Sequence, residues 1–180
     1  MVILGIDPGS VICGYGVIDY KFDKLKLIEY GSIKVKKKNE DIIQRLKDIF
    51  FRLNAVIERT KPEIAVFESV FYSKNAQSLM KLSYARASAI LAASLKDLEF
   101  AEFTPREIKK SVTGNGNAGK KQVQFMVRTL LKIQETPDFY DATDALATAI
   151  CYAFRNQNQS KTSSSWAEYI KNNPEKVLKV

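Results

Sequence analysis

The chain has 180 residues, 28 of them lysine or arginine and 20 aspartate or glutamate, for a formal charge of +8. That length holds one domain with a substantial core and at most a short appendage, and the charge favours a polyanionic partner such as nucleic acid. With no histidine anywhere, Ser-His-Asp and Cys-His hydrolases, HExxH proteases and nucleases with a histidine base are excluded, which leaves carboxylates, lysines or metal-bound water for acid and base chemistry.

In chain order, "VILGID", "GYGVIDY" and "KLKLIEYGSIKV" read as three β-branched strands joined by short turns. Lys34, Lys36, Lys37 and Lys38 then form a solvated strand end and turn, with phosphate contact as a second use. From Asn39, a candidate cap, the period changes. Ile42, Leu46, Ile49, Leu53, Val56 and Ile57 follow helical spacing until Pro62 closes the segment. "EIAVFES" is a short apolar run of the kind found in buried central strands. Residues 76–98 form a long helix whose small residues Ala85, Ser88, Ala89, Ala92 and Ala93 admit a close neighbour, within the domain or across a dimer. "EFAEFT" is a fifth strand, and Pro105 opens a brief helix. The loop "TGNGNAGKK" leads into an amphipathic helix through Val123, Met126, Val127, Leu130 and Leu131. After a break at Thr136 and Pro137 comes an alanine-rich helix that fades near Arg155. The polar, serine-rich stretch 157–165 reads as a linker or tail, and 166–180 as a weak terminal helix.

This order predicts an α/β fold: a mixed five-stranded sheet, three antiparallel strands followed by parallel ones, with helices on both faces. A domain over 1–155 and a tail over 156–180 are expected. "MVIL" runs into Gly5, Ile6 and Asp7 without a basic leader, and Arg86 and Lys96 interrupt the apolar helix, so a cytoplasmic protein with no membrane attachment is expected. Two cysteines, Cys13 and Cys151, fit reduced thiols and no zinc cluster.

The chemistry is carried by acids. Asp141 and Asp144 in "YDATDALATAI" lie one turn apart on one helix face, while Ala142, Leu146, Ala149, Ile150 and Ala153 form a second face that wants a core. Taken alone, Asp141 could cap the helix and Asp144 favour its dipole. Asp7, before Pro8 and Gly9, could be a turn residue. Glu68, at the end of an apolar strand, is harder to dismiss because a buried acid needs a partner. If those two strands are parallel neighbours, Asp7 and Glu68 emerge at one sheet edge, where Asp141 and Asp144 could complete a set of four. Four such carboxylates repel unless divalent cations neutralise them. Oxygen-only ligation points to two Mg²⁺ ions, with Mn²⁺ able to substitute, the usual apparatus for phosphodiester hydrolysis.

Phe71 and Tyr72 could be core, or, beside Ser73, Lys74 and Asn75, could form a loop that offers aromatic faces to unpaired bases. "GNGNAGKK" fits the spacing of a nucleotide-binding P-loop, but Lys121 replaces the metal-binding Ser/Thr and the segment follows a helix. Backbone amides and Lys120 at a helix start, with Lys121 beside it, would still hold a DNA phosphate.

Together, "ILGIDPGSVICGYGVI", "ESVFYSKNAQSLMKLSYARA", "GNGNAGKKQVQFMVRTLL" and "DATDALATAI" resemble the RuvC family of bacterial Holliday-junction resolvases, over residue 2 to about residue 153. The resemblance implies a ribonuclease H-like fold and a homodimeric endonuclease. Such an enzyme cuts two opposed strands of a four-way junction, with Mg²⁺ held by Asp7, Glu68, Asp141 and Asp144, and leaves ligatable nicks. It further implies stacking by Phe71 at the junction, essential roles for Lys109 and Lys120, and partnership with the RuvA/RuvB branch-migration complex. Ala87 stands where the family often has glycine, and Gly119 where an acidic or polar residue is expected. "GIDPGS" also resembles the first phosphate loop of actin-like ATPases and sugar kinases, but those need a second comparable domain. A non-catalytic junction binder is the other alternative, and it should have lost an acid; none of the four is missing.

Overall fold

In the computed structural model the described residues are 1–9, 12–34, 42–69, 75–134 and 137–162, the side chains at 137–139, 141 and 157–162 excepted. Five strands, β1 (Val2–Pro8), β2 (Ile12–Lys21), β3 (Lys24–Lys34), β4 (Ile64–Glu68) and β5 (Glu99–Phe103), form one sheet in the order β3-β2-β1-β4-β5. β1, β2 and β3 pair antiparallel, whereas β4 lies parallel to β1 and β5 parallel to β4. The mixed sheet is as expected. Its helices are α1 (Ile42–Thr60), α2 (Ala76–Ser94), α3 (Pro105–Thr113), α4 (Lys120–Leu131) and α5 (Pro137–Thr162).

Alternation along the strands divides the core into two layers. Leu4, Ile6, Val17, Ala65 and Phe67 pack with Ile49, Leu53, Val56 and Ile57 of α1 and with Ala85, Ala89, Ala92 and Ala93 of α2. Ile3, Ile18, Ile64 and Val66 pack with Ile108 and Val112 of α3, Val123, Val127 and Leu131 of α4, and Leu146 and Ile150 of α5. The small residues of α2 are therefore spent on the molecule's own core. Ser88 donates its hydroxyl to the Leu46 carbonyl at 2.7 Å, which ties the two helices together where their backbones approach.

Four boundaries differ from the sequence reading. α2 stops at Ser94 rather than 98: Leu95 caps it, and Asp97 takes a left-handed φ of 54° in the turn to β5. α5 begins at Pro137, since proline fits a first helical turn where its missing N–H costs nothing, and it continues through Thr162, past the expected fade at Arg155. β1 includes Pro8, which still pairs with Cys13. The expected Asn39 cap and the terminal segment 163–180 lie outside the described residues.

Candidate active site

Strand alternation decides which way the acids face. Ile3 lies in the α5 layer, and Leu4 and Ile6 lie in the opposite one, so Asp7, four residues past Ile3, faces α5. In β4, Ile64 and Val66 share that layer while Ala65 and Phe67 do not, which brings Glu68 to the same face. The parallel register ends with Ile6 beside Phe67; the next rung holds Asp7 and Glu68.

α5 reaches these strands through a trough cut by glycine. Gly5 of β1 is paired with Gly16 of β2. A Cβ on Gly5 would stand 2.0 Å from the Ala145 carbonyl oxygen and 3.0 Å from the Ala149 nitrogen; one on Gly16 would stand 2.5 Å from Leu146 Cδ2. Because both lack side chains, the helix backbone lies directly on the sheet. Ala142, Ala145, Leu146 and Ala149 are fully buried against it, and Asp144, next to Ala145, is delivered to the rim beside Asp7. The capping role for Asp141 is ruled out by the backbone, because the helix starts four residues earlier. Asp141 lies one turn before Asp144; its side chain is outside the described residues.

The Asp144 charge acts on both other described acids. The Asp7 carboxyl is raised to about 6, chiefly by burial and then by the Asp144 charge, with Lys120 opposing. Burial also raises Glu68, to about 7, reinforced by Asp7 and Asp144 and opposed by Lys109. Lys120 Nζ stands 3.5 Å from Asp144 Oδ2. Glu68, Lys109, Lys120 and Asp144 wall an open cleft of about 220 Å³ over Pro105, Ile108, Val123 and Ala147. Among the described residues no three ligating groups close on a single point by themselves, so the donor set is one that Asp141 would have to complete. Its chemistry, oxygen only and mutually repelling, fits a hard divalent cation.

Lys109 and Lys120 come from two helices that face the cleft. Thr104 caps α3, accepting from Glu107 N at 3.3 Å while Glu107 Oε2 accepts from Thr104 N at 2.8 Å, a reciprocal box that fixes the start of the helix. Gly114 ends α3 in the left-handed conformation, φ 77°. Gly119 then caps α4 without a side chain to accept from the first turn, and its own N–H is held at 2.9 Å by the Gln122 side chain. The segment links helix to helix, and the P-loop reading does not hold. Lys121 does not join the acids; it lines a separate groove with Thr113, Phe125 and Met126. Asn75 caps α2, its Oδ1 accepting from Ser78 N at 3.1 Å. Phe71, Tyr72 and Lys74 lie outside the described residues.

Two features of the site were not read from the sequence. One is the glycine trough, signalled only by "LGID" and "GYGV" having glycine on the strand face that also carries Asp7. The other is Arg86 on α2, which donates to the Glu68 carbonyl at 2.6 Å. No periodicity marks it, because it acts on a neighbouring strand.

The raised carboxyls have a stability consequence with a definite sign. Each folded-state value exceeds its ordinary value, from 3.8 to about 6 for Asp7 and from 4.5 to about 7 for Glu68, so their protonated forms favour the folded state. That contribution is complete below the unfolded values and is lost as pH rises through about 6 to 7. A divalent cation held by these acids would offset their repulsion and compete with those protons. Its effect on the melting temperature is expected to be larger near pH 8 than near about pH 5, as thermal unfolding with Mg²⁺ or with EDTA will show.

A sheet of this order, with helices on both faces and acids gathered at the carboxyl ends of its two central parallel strands, defines the class: a nuclease of ribonuclease H-like fold. The family model for "Crossover junction endodeoxyribonuclease RuvC" matches residues 3–152. The protein of that description from Cytophaga hutchinsonii is 42% identical over 179 residues, covering 99% of this chain and 89% of its own; the one from Pseudoalteromonas atlantica is 45% identical over 162, covering 90% and 92%. The structure of Thermus thermophilus RuvC in complex with Holliday junction substrate superposes with a TM-score of 0.81 at 29% identity, covering 89% of this chain and 97% of that one. The chain belongs to the RuvC family of crossover junction endodeoxyribonucleases.

Proposed function

We propose that this protein is a Holliday junction resolvase that hydrolyses phosphodiester bonds in opposed strands of a four-way DNA junction, in recombination and DNA repair. The observation that carries the proposal is the meeting of Asp7, Glu68 and Asp144 on one face of the sheet, with Lys120 3.5 Å from Asp144, in a chain that matches this family over residues 3–152. Asp7, Glu68, Asp141 and Asp144 would hold the divalent ions, Mg²⁺ by the hardness of the donors and Mn²⁺ as a substitute. Bound there, the ions would supply water activation and leaving-group stabilisation.

The chain's own residues do the rest. Pro105, Ile108, Val123 and Ala147 give the cleft an apolar floor, which lowers the local dielectric and strengthens what its charges do. Lys109 and Lys120 stand at its rim and would neutralise charge building on the phosphate. Lys120 also stands within ion-pair distance of Asp144. Phe71 and Tyr72, by the family resemblance, would take up bases opened at the junction centre, with Lys74, Asn75 and Lys121 as further backbone contacts.

Two opposed cuts require two sites in matching orientation, and we assign their pairing to a symmetric homodimer. Since the alanine face of α2 is buried internally, the supporting feature is the opposite face: Met80, Tyr84, Ala87, Leu91 and Leu95 recur at helical spacing and are exposed. Beside them lies an apolar groove of about 360 Å³ shared with Leu46 and Phe50 of α1. Leu91→Glu is expected to give a folded monomer by sedimentation that binds junctions weakly and fails to make paired cuts; an unchanged dimer would relocate the interface. Partnership with RuvA/RuvB and a cytoplasmic location remain part of the same proposal. Among the described residues no helix is long and apolar enough to cross a membrane.

The test is incubation with a synthetic four-way junction and with a linear duplex, each with Mg²⁺. Symmetrically placed, ligatable nicks carrying 5′ phosphates are expected on the junction alone, and no ATP hydrolysis. Binding without cutting, or ATP turnover, would replace this reading with the junction-binder or kinase-like alternative.

A further inference from the structure

Arg86 engages the strand that carries Glu68, yet it belongs to the helix on the far side of the sheet from the cleft. Its side chain is only 13% exposed. One guanidinium nitrogen donates to the Glu68 carbonyl at 2.6 Å, and the other meets Glu102 Oε2 of β5 at 2.9 Å. The guanidinium also lies over the Phe67 ring, 5.3 Å from its centroid, and that ring stacks on Phe100 at 5.0 Å. Three constraints therefore fix one planar group. Two of them, Glu102 and Phe67, hold the arginine in place; the third acts on the peptide that carries Glu68.

The need for such a constraint follows from the register. β1 supports β4 only as far as the Ile6–Phe67 pair, so Glu68 is the residue at which support from that side ends. On the other side Ser69 N donates to the Phe103 carbonyl at 2.8 Å; because the peptide is planar and trans, this bond and the Arg86 bond grip opposite ends of the single peptide unit that follows Glu68. A carboxylate at a strand end, surrounded by charges that repel it, would otherwise relax by rotating its peptide away from the other acids. We propose that Arg86 is a positioning residue for the reaction: its fork, locked by Glu102 and Phe67, holds the Glu68 carbonyl and so aims the Glu68 carboxylate into the cleft. A planar guanidinium presents its donors to both oxygens in a fixed geometry, which the point charge and rotating donors of an ammonium do not reproduce. This rests on the assignment of Glu68 to the metal site.

The test uses the full-length protein without DNA. Binding of Mn²⁺ is followed by the electron paramagnetic resonance of the free ion, alongside thermal unfolding and junction binding in EDTA. Arg86→Met is expected to weaken Mn²⁺ binding about 10- to 100-fold, the usual effect of losing a group that orients a ligand, and to slow cleavage in step, while junction binding in EDTA is unchanged. Arg86→Lys keeps the charge and is expected to remain folded, with an intermediate loss. Lys96→Met, which removes the exposed ion pair between the turn after α2 and Glu58, is expected to leave Mn²⁺ affinity within about 2-fold, as surface substitutions do.

The outcomes separate the two claims. If the wild-type protein shows no saturable Mn²⁺ binding, the metal-site assignment fails. If it binds Mn²⁺ and folded Arg86→Met binds equally well, the positioning role fails; should that variant not fold, equal binding by Arg86→Lys overturns it in the same way. Loss of stability with Mn²⁺ affinity retained would make Arg86 a structural brace only.

Discussion

Asp7→Asn is expected to abolish junction cleavage while leaving junction binding intact and making the metal-free protein more stable. Cleavage falls because the amide no longer brings the negative charge that holds a divalent ion. Losing several kcal/mol of charge stabilisation in the transition state corresponds to a rate about 10³-fold lower or less. Binding survives because one negative charge fewer faces the phosphates. The gain in stability follows from the burial that raises the Asp7 carboxyl to about 6. At higher pH the folded protein must carry that ionised group at a cost of about 1 to 3 kcal/mol, and asparagine removes the cost. Metal-free Asp7→Asn should therefore melt several degrees above wild type near pH 8, with the difference shrinking to nothing near about pH 4. A lower melting temperature near neutral pH would mean that Asp7 is a structural acid satisfied within the fold.

Gly5→Ala is expected to be nearly as damaging, although it leaves every acid in place. Its Cβ would lie 2.0 Å from the Ala145 carbonyl oxygen, and a backbone group cannot yield as a side-chain tip can. α5 must lift from the sheet, carrying Asp144 and Asp141 away from Asp7 and Glu68. We expect a stability loss of about 3 kcal/mol, at the upper end of overpacking costs. The molecules that remain folded should cleave about 10²-fold more slowly, the scale set by an ångström of misplacement. Gly16→Ala meets Leu146, chiefly its side chain at 2.5 Å, and should cost less because a leucine can change rotamer. Measured by thermal unfolding and single-turnover cleavage, equal and small effects at both positions would remove the trough from the account.

The contrast between these two residues shows what a sequence reveals. Asp7 and Glu68 were legible because an acid at the end of an apolar strand conflicts with its surroundings, and conflict is visible in one dimension. The mixed sheet was legible for a related reason, since period 2 and period 3.6 alternate cleanly along the chain. Gly5 was not, because a glycine gives no sign of what lies over it; only the pairing with Gly16 and the approach of Ala145 disclose its purpose. The small residues of α2 were read correctly as a close-packing face, but whether the neighbour is α1 or a second subunit depends on tertiary contacts. Pro137 was taken as a break when it opens a helix, an ambiguity inherent in proline, which ends one helix and begins the next by the same missing N–H. Arg86 was invisible as a partner of Glu68 because the two are separated by 18 residues and joined through a backbone oxygen.

The central claim is that Asp7, Glu68, Asp141 and Asp144 form one divalent-metal site. It is tested most directly by soaking crystals of the protein with Mn²⁺ and recording anomalous diffraction at the manganese edge. The account predicts anomalous density bounded by these four carboxylates at the mouth of the cleft beside Lys109 and Lys120, absent in Asp7→Asn crystals soaked alike. Manganese bound elsewhere, with this site empty in a protein that still cuts junctions, would contradict it.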